Sequence, residues 1–172
     1  MRYAQIRNMD ISNGEKIGIA LFTSGCRFYC KNCFNKELWD VKSGNLWSKE
    51  VEDNFLTLAK PSYITRISIL WGEPFIDENL IDLEKLVKRI KKTYPDKKLW
   101  IYSGYTYEEL LERAKNILNY VDILVDGRYV DELKNYKLKF RGSSNQRIID
   151  VQESLKLGEV SEIIFEKEKV LC

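Results

Sequence analysis

Lys16-Ile17-Gly18-Ile19-Ala20-Leu21-Phe22-Thr23-Ser24-Gly25-Cys26-Arg27-Phe28-Tyr29-Cys30-Lys31-Asn32-Cys33-Phe34-Asn35 is an apolar run that breaks into a loop carrying three cysteines. Residues 16–23 read as a buried strand. In α/β proteins the chemistry sits on loops that leave the C-terminal ends of strands, and a strand feeding directly into Cys26, Cys30 and Cys33 has that order. Thiolates this close in sequence can turn toward one point and bind a soft metal centre. No histidine occurs in the chain, which excludes zinc sites that mix cysteine with histidine. The remaining cysteine is Cys172, so a four-cysteine site needs a long closure. Three protein ligands leave a coordination position open, which suits a reactive iron–sulfur cluster better than a structural site. The alternatives are a zinc knot completed by Cys172 and unrelated thiols buried for packing.

Working outward, residues 3–7 form a short first strand, followed by a turn at Asn13-Gly14. Downstream, a helix from Ser48 to Lys60 puts Val51, Phe55, Leu58 and Ala59 on one face and stops at Pro61. A strand over 64–70 ends at Trp71-Gly72-Glu73-Pro74. A long helix from Asp77 to Tyr94 carries Leu83, Leu86, Val87, Ile90 and Tyr94 at helical spacing. A strand over 98–102 ends at Ser103-Gly104-Tyr105, after which Thr106 and Glu109 fit a capping box. The helix they start turns Leu110, Leu111, Ala114, Ile117 and Leu118 inward. A fourth buried strand, 121–125, ends at Asp126-Gly127-Arg128. Residues 148–165 are expected to hold a short helix and then a last strand.

This alternation predicts an α/β fold with a parallel sheet and right-handed crossovers. A full eight-stranded barrel takes about 250 residues. The 172 residues therefore predict a partial (βα) barrel or an open parallel sheet with flanking helices, as a single domain over 1–172. Hydrophobic content of 44% and charged content of 31% are ordinary for a globular protein. A net charge of +2 and the lack of a strongly basic run speak against nucleic-acid binding. No apolar run reaches the length of a signal-peptide core or a membrane span. The expected setting is cytoplasmic and reducing, where clustered cysteines serve metals or redox chemistry rather than disulfides.

Cys26-x3-Cys30-x2-Cys33 resembles the signature of the radical S-adenosylmethionine superfamily. Further segments, in the same order, are similar to one branch of it, the activating proteins of anaerobic ribonucleotide reductase. These are Cys33-Phe34-Asn35, Gly72-Glu73-Pro74, Ser103-Gly104-Tyr105, Asp122 to Tyr129, and Phe140-Arg141-Gly142-Ser143-Ser144-Asn145-Gln146-Arg147. The resemblance spans about residues 15–155. It implies a fold of radical S-adenosylmethionine type and one [4Fe-4S] cluster held by Cys26, Cys30 and Cys33. S-adenosyl-L-methionine would occupy the open iron and be cleaved reductively to a 5′-deoxyadenosyl radical. The implied protein substrate is the large subunit of anaerobic ribonucleotide reductase, on which a glycyl radical forms, and the implied electron source is a flavodoxin or ferredoxin-type reductant. Two other readings stay open: an activase of another glycyl radical enzyme, of pyruvate formate-lyase type, and a non-catalytic iron–sulfur or zinc module.

By the same resemblance, Gly72, Glu73 and Pro74 contact the amino end of the cofactor, and Asn32, Cys33 and Phe34 lie along its adenine. Ser103 and Tyr105 reach the ribose or carboxylate, and Asp126 with Arg128 faces the site. Each has a plainer reading, as turn residues or, for Phe34, as core. The stretch from Arg141 to Arg147 is either a loop against partner or cofactor, or a solvated loop held by its own Ser and Asn side chains. Asn32 stands where the superfamily often has an aromatic residue, and Trp71 where a second glycine is common.

Overall fold

Four strands buried along nearly their whole length form the centre of the fold: β2 (Gly18–Thr23), β4 (Arg66–Leu70), β5 (Lys98–Tyr102) and β6 (Ile123–Asp126). In the computed structural model, which describes residues 1–165, they pair in parallel in that order. The helices α1 (Lys49–Leu58), α2 (Asp77–Thr93) and α3 (Tyr107–Leu118) make the three crossovers. Strand periodicity splits the side chains between two faces. Ile19, Leu21, Ile67, Ile69, Leu99, Ile101 and Leu124 pack with Phe55, Leu83, Leu86, Ile90, Leu110 and Ile117 of the helices. The alternate positions, Phe22, Leu70, Trp100, Tyr102 and Val125, belong to clusters on the other face, which no helix among the described residues covers. Burial on both faces is why the strands read as continuous apolar runs.

Local signals place the helices. Ser48 Oγ accepts from Val51 N–H at 3.2 Å, and Thr106 and Glu109 form the reciprocal capping box. Ile76 heads α2 without a side-chain cap, and Asp77 and Glu78 complement the helix dipole instead.

The sheet departs from the expected parallel arrangement at its edges. Its order is β3 (Asn45–Leu46), β1 (Arg2–Asp10), β2, β4, β5, β6 and β7 (Arg147–Asp150), with β3–β1, β1–β2 and β6–β7 antiparallel. No α-helix intervenes in these three pairings, and chain that returns without a crossover helix pairs antiparallel. The sheet is open, not closed into a barrel. The tail also runs opposite to expectation: strand β7 comes first and helix α4 (Val151–Leu157) second. Ile148 and Ile149 are drawn into register with β6, and Asp150 then caps α4 through Glu153 N–H at 3.0 Å. Cys172, and with it the four-cysteine reading, lies outside the described residues.

One charge sits inside β4. Arg66 is 1% exposed and pairs with Asp10, also 1% exposed, at 3.0 Å. It donates further to the carbonyls of Asp10 at 2.8 Å and Glu15 at 3.0 Å, and to Asn13 and Ser68. The loop after β1 is thereby pinned over the uncovered face.

Candidate metal centre

The cysteine loop leaves β2 and is anchored where it starts: Gly25 N–H donates to Leu38 O at 2.8 Å and Cys26 N–H to Trp39 O at 3.1 Å. A residue with left-handed backbone precedes each cysteine: Gly25 (φ 89°), Tyr29 (φ 50°) and Asn32 (φ 55°). Two non-glycine residues in that region within four positions is uncommon and marks a constrained loop. Asparagine tolerates this conformation better than an aromatic ring does, which gives Asn32 a backbone reason to precede Cys33. Cys33 N–H donates to Cys30 O at 3.1 Å, and Asn35 N–H points to Cys33 Sγ at 3.4 Å.

A cleft of about 180 Å³ brings Cys26, Cys30 and Cys33 together with the ends of three strands: Gly72 and Glu73 after β4, Ser103 and Gly104 after β5, and Gly127 after β6. Gly72 (φ 48°) lies so close to β2 that a Cβ there would stand 2.8 Å from Gly25 O. Only glycine allows that approach. Glu73, 1% exposed, staples the strand ends together. Its N–H donates to Gly25 O at 2.7 Å, and its carboxylate accepts from Phe75 N–H at 3.0 Å, Ser103 Oγ at 2.8 Å and Gly104 N–H at 2.7 Å. Asn79 adds bonds to the carbonyls of Ser24 and Glu73, both at 3.2 Å.

Of the residues singled out from sequence, Cys26, Cys30, Cys33, Gly72, Glu73, Ser103 and Arg128 line the cleft. The others do not. Asn32 is exposed and donates to Asp131 at 2.7 Å. Phe34 is 74% exposed, with the Lys134 ammonium 5.2 Å from its ring. Pro74 is buried beside the staple. Tyr105 stands behind the wall, its ring edge-on to Phe28 at 4.8 Å. The Asp126 carboxylate turns away, accepting from Arg147 Nε at 3.0 Å and Tyr107 N–H at 2.7 Å. Phe28, Tyr102, Gly104, Gly127 and Tyr129 join the lining without having been named as contacts, and Gln146 reaches it from the stretch 141–147, for which a loop against partner or cofactor was one of two readings. Gly104 and Gly127 were findable, as glycines just past strand ends. Phe28 carries no comparable local signal.

Burial pushes the Cys26 thiol up to about 11, with Glu73, Cys30 and Cys33 adding to it against the Phe28 N–H. Cys30 is raised chiefly by burial and by Cys33, against the Tyr129 N–H and the Arg128 charge. Without a metal these thiols hold their protons, and ligation releases them. Among the described residues no three Cys, His, Asp or Glu side chains form a ready-made shell for a single metal ion. The donor chemistry fits a cluster instead. Thiols spread around a cleft bind different irons of one cluster and need not meet at a point. The acidic group at hand, Glu73, already has its oxygens committed to Phe75, Ser103 and Gly104.

Residues 12–149 match the 4Fe-4S single cluster domain family. A Vibrio cholerae protein is 38% identical over 150 residues, covering 86% of this chain and 97% of the relative. An Escherichia coli K12 protein is 38% identical over 148 residues, covering 85% and 96%. A protein of Enterobacteria phage T4 is 32% identical over 148 residues, covering 86% and 93%. All three are named anaerobic ribonucleoside-triphosphate reductase-activating protein. The chain belongs to this family. The matched span of this reductase-activating family member runs from the loop pinned by Arg66 to β7, and so includes every residue that lines the cleft. Among the described residues no helix is long and apolar enough to cross a membrane.

Proposed function

We propose that the chain activates the large subunit of anaerobic ribonucleotide reductase by generating a glycyl radical on it, with a [4Fe-4S] cluster and S-adenosylmethionine bound in the cleft. When bound, the cluster supplies the electron that cleaves S-adenosylmethionine to a 5′-deoxyadenosyl radical, the species that takes hydrogen from glycine. Cys26, Cys30 and Cys33 would hold three irons. The observation that carries this reading is the cleft itself: three thiols, no fourth cysteine among the described residues that line it, and three strand-end turns opposite them.

The chain's own residues fit that use. Gly72 lets the β4 turn pack directly against the backbone that leads into the cysteine loop. Glu73 fixes the β4 and β5 turns relative to the cysteine loop before anything binds, which is pre-organisation of the kind binding sites need. The Ser103 and Gly104 turn, held by Glu73, forms the wall along which the methionine or ribose portion would lie. The electron comes from a flavodoxin or ferredoxin-type protein.

Anaerobic reconstitution with iron and sulfide tests the reading. A broad iron–sulfur absorbance, 5′-deoxyadenosine release under reducing conditions, and a glycyl radical signal on the reductase subunit are the expected results. A reconstituted cluster that cleaves no S-adenosylmethionine would sink it. So would a radical that forms only on a formate-lyase-type partner.

A further inference from the structure

The stretch from Arg141 to Arg147 closes on the turn that follows β6. Gln146 is its hub. Its Oε1 accepts from the backbone N–H groups of Gly142 at 2.9 Å and Ser143 at 3.1 Å, and its Nε2 donates to Gly127 O at 3.0 Å. Asn145 Nδ2 donates to Arg128 O at 2.8 Å, and Val130 N–H donates to Ser143 Oγ at 3.2 Å. Two side-chain amides thus grip consecutive carbonyls, at a point where the left-handed Gly127 (φ 93°) leaves the backbone pliable.

The far side of the same turn is fastened to the cysteine loop. The Arg128 guanidinium lies 4.4 Å from the centre of the Phe28 ring. Asn32 donates to Asp131 at 2.7 Å and Lys31 to Glu132 at 2.6 Å. Arg128 and Tyr129 line the same cleft as Cys30. Among the described residues that line the cleft, Arg128 is the one cation. It is solvent-exposed, and the Phe28 ring and the gripped backbone hold its long side chain in place.

We propose that Asn145 and Gln146 are positioning residues that hold Arg128 at the rim of the cysteine cleft, and that this bracket raises the reduction potential of a cluster ligated there. The inference rests on the cluster reading of the site. A nearby cation favours the form of the cluster that has gained an electron. Arginine suits the task because it stays charged and stacks on an aromatic face.

The test is a redox titration of the full chain, reconstituted anaerobically without S-adenosylmethionine and followed by electron paramagnetic resonance. The variants are Arg128→Gln, Arg128→Lys, and Asn145→Ala combined with Gln146→Ala. Iron content and circular dichroism are measured first, and the Arg128 variants, changed at an exposed side chain, keep the test decisive should the double variant misfold. Arg128→Gln is expected to keep its iron and to show a reduced-to-oxidised cluster ratio about tenfold lower at the wild-type midpoint, a shift of ~59 mV to more negative potential for one electron. The double variant shifts the same way, and Arg128→Lys stays near wild type. Full clusters with unchanged potential in Arg128→Gln overturn the inference. An unchanged potential with weakened S-adenosylmethionine binding overturns it too, and reassigns Arg128 to the ligand. Failure of the wild-type chain to take up any cluster would instead defeat the function proposed above.

Discussion

Glu73 shows how one side chain can organise a site and make its stability depend on pH. Burial pushes its carboxyl up from 4.5 to about 7, against the pull of the Gly104 and Phe75 N–H groups, Ser103 and the Arg113 charge. A folded-state value above the unfolded one means that the fold favours the protonated acid. The stabilising contribution is therefore complete below pH 4.5 and is lost as pH rises through about 7. A shift of that size corresponds to roughly 3 kcal/mol. The metal-free chain is expected to unfold at progressively lower denaturant concentration between pH 5 and pH 8. Glu73→Gln should flatten that dependence. It should also cost about 1–3 kcal/mol at the acid end, because an amide nitrogen cannot accept from the donors that face it. Denaturation midpoints across the pH range check both. An unaltered slope in the variant would exonerate Glu73.

At the scale of elements, the Arg66–Asp10 pair joins β4 to the end of β1 and holds the loop after β1 over the sheet face opposite the crossover helices. Both partners are buried, so removing one leaves the other uncompensated, a situation that costs about 3–5 kcal/mol. Burial raises Asp10, but its bonds to Asn13 and Arg66 outweigh that and lower it from 3.8. Its stabilisation is therefore present above pH 3.8 and fades below it. Asp10→Ala is expected to lose that 3–5 kcal/mol in chemical denaturation at neutral pH, and a loss under about 1 kcal/mol would show the pair to be idle. The pair also marks where sequence reading stops. The central strands and helices were legible because each carries its own period and caps, as Thr106 and Glu109 do. The burial of Arg66 was not, since its partner lies 56 residues away. The two residues of β3 are too few to show any period. The cysteine triplet announced the site, whereas the outward course of Asn32 and Phe34 follows from the left-handed backbone at Tyr29 and Asn32, which no propensity scale foretells.

Across the whole molecule, the core and the candidate site are separable. The main core joins one sheet face to the three crossover helices and draws no residue from the cysteine loop or from the stretch 127–146. Cys26 and Leu38 are buried outside it. The fold should therefore stand without a cluster, unlike small metal domains whose binding energy is their folding energy. A cluster that binds only the folded state adds stability by mass action, and that increment belongs to the two segments it contacts. Replacing Cys26, Cys30 and Cys33 together by Ser is expected to leave a cooperatively unfolding protein with the wild-type helical signal. Compared with the reconstituted chain, amide exchange should quicken in residues 26–43 and 127–146 and stay unchanged in β2, β4, β5 and α2. Exchange that quickens throughout the central strands would mean that the cysteines support the fold itself, and the division between a self-sufficient core and a site mounted on its strand ends would then be untenable.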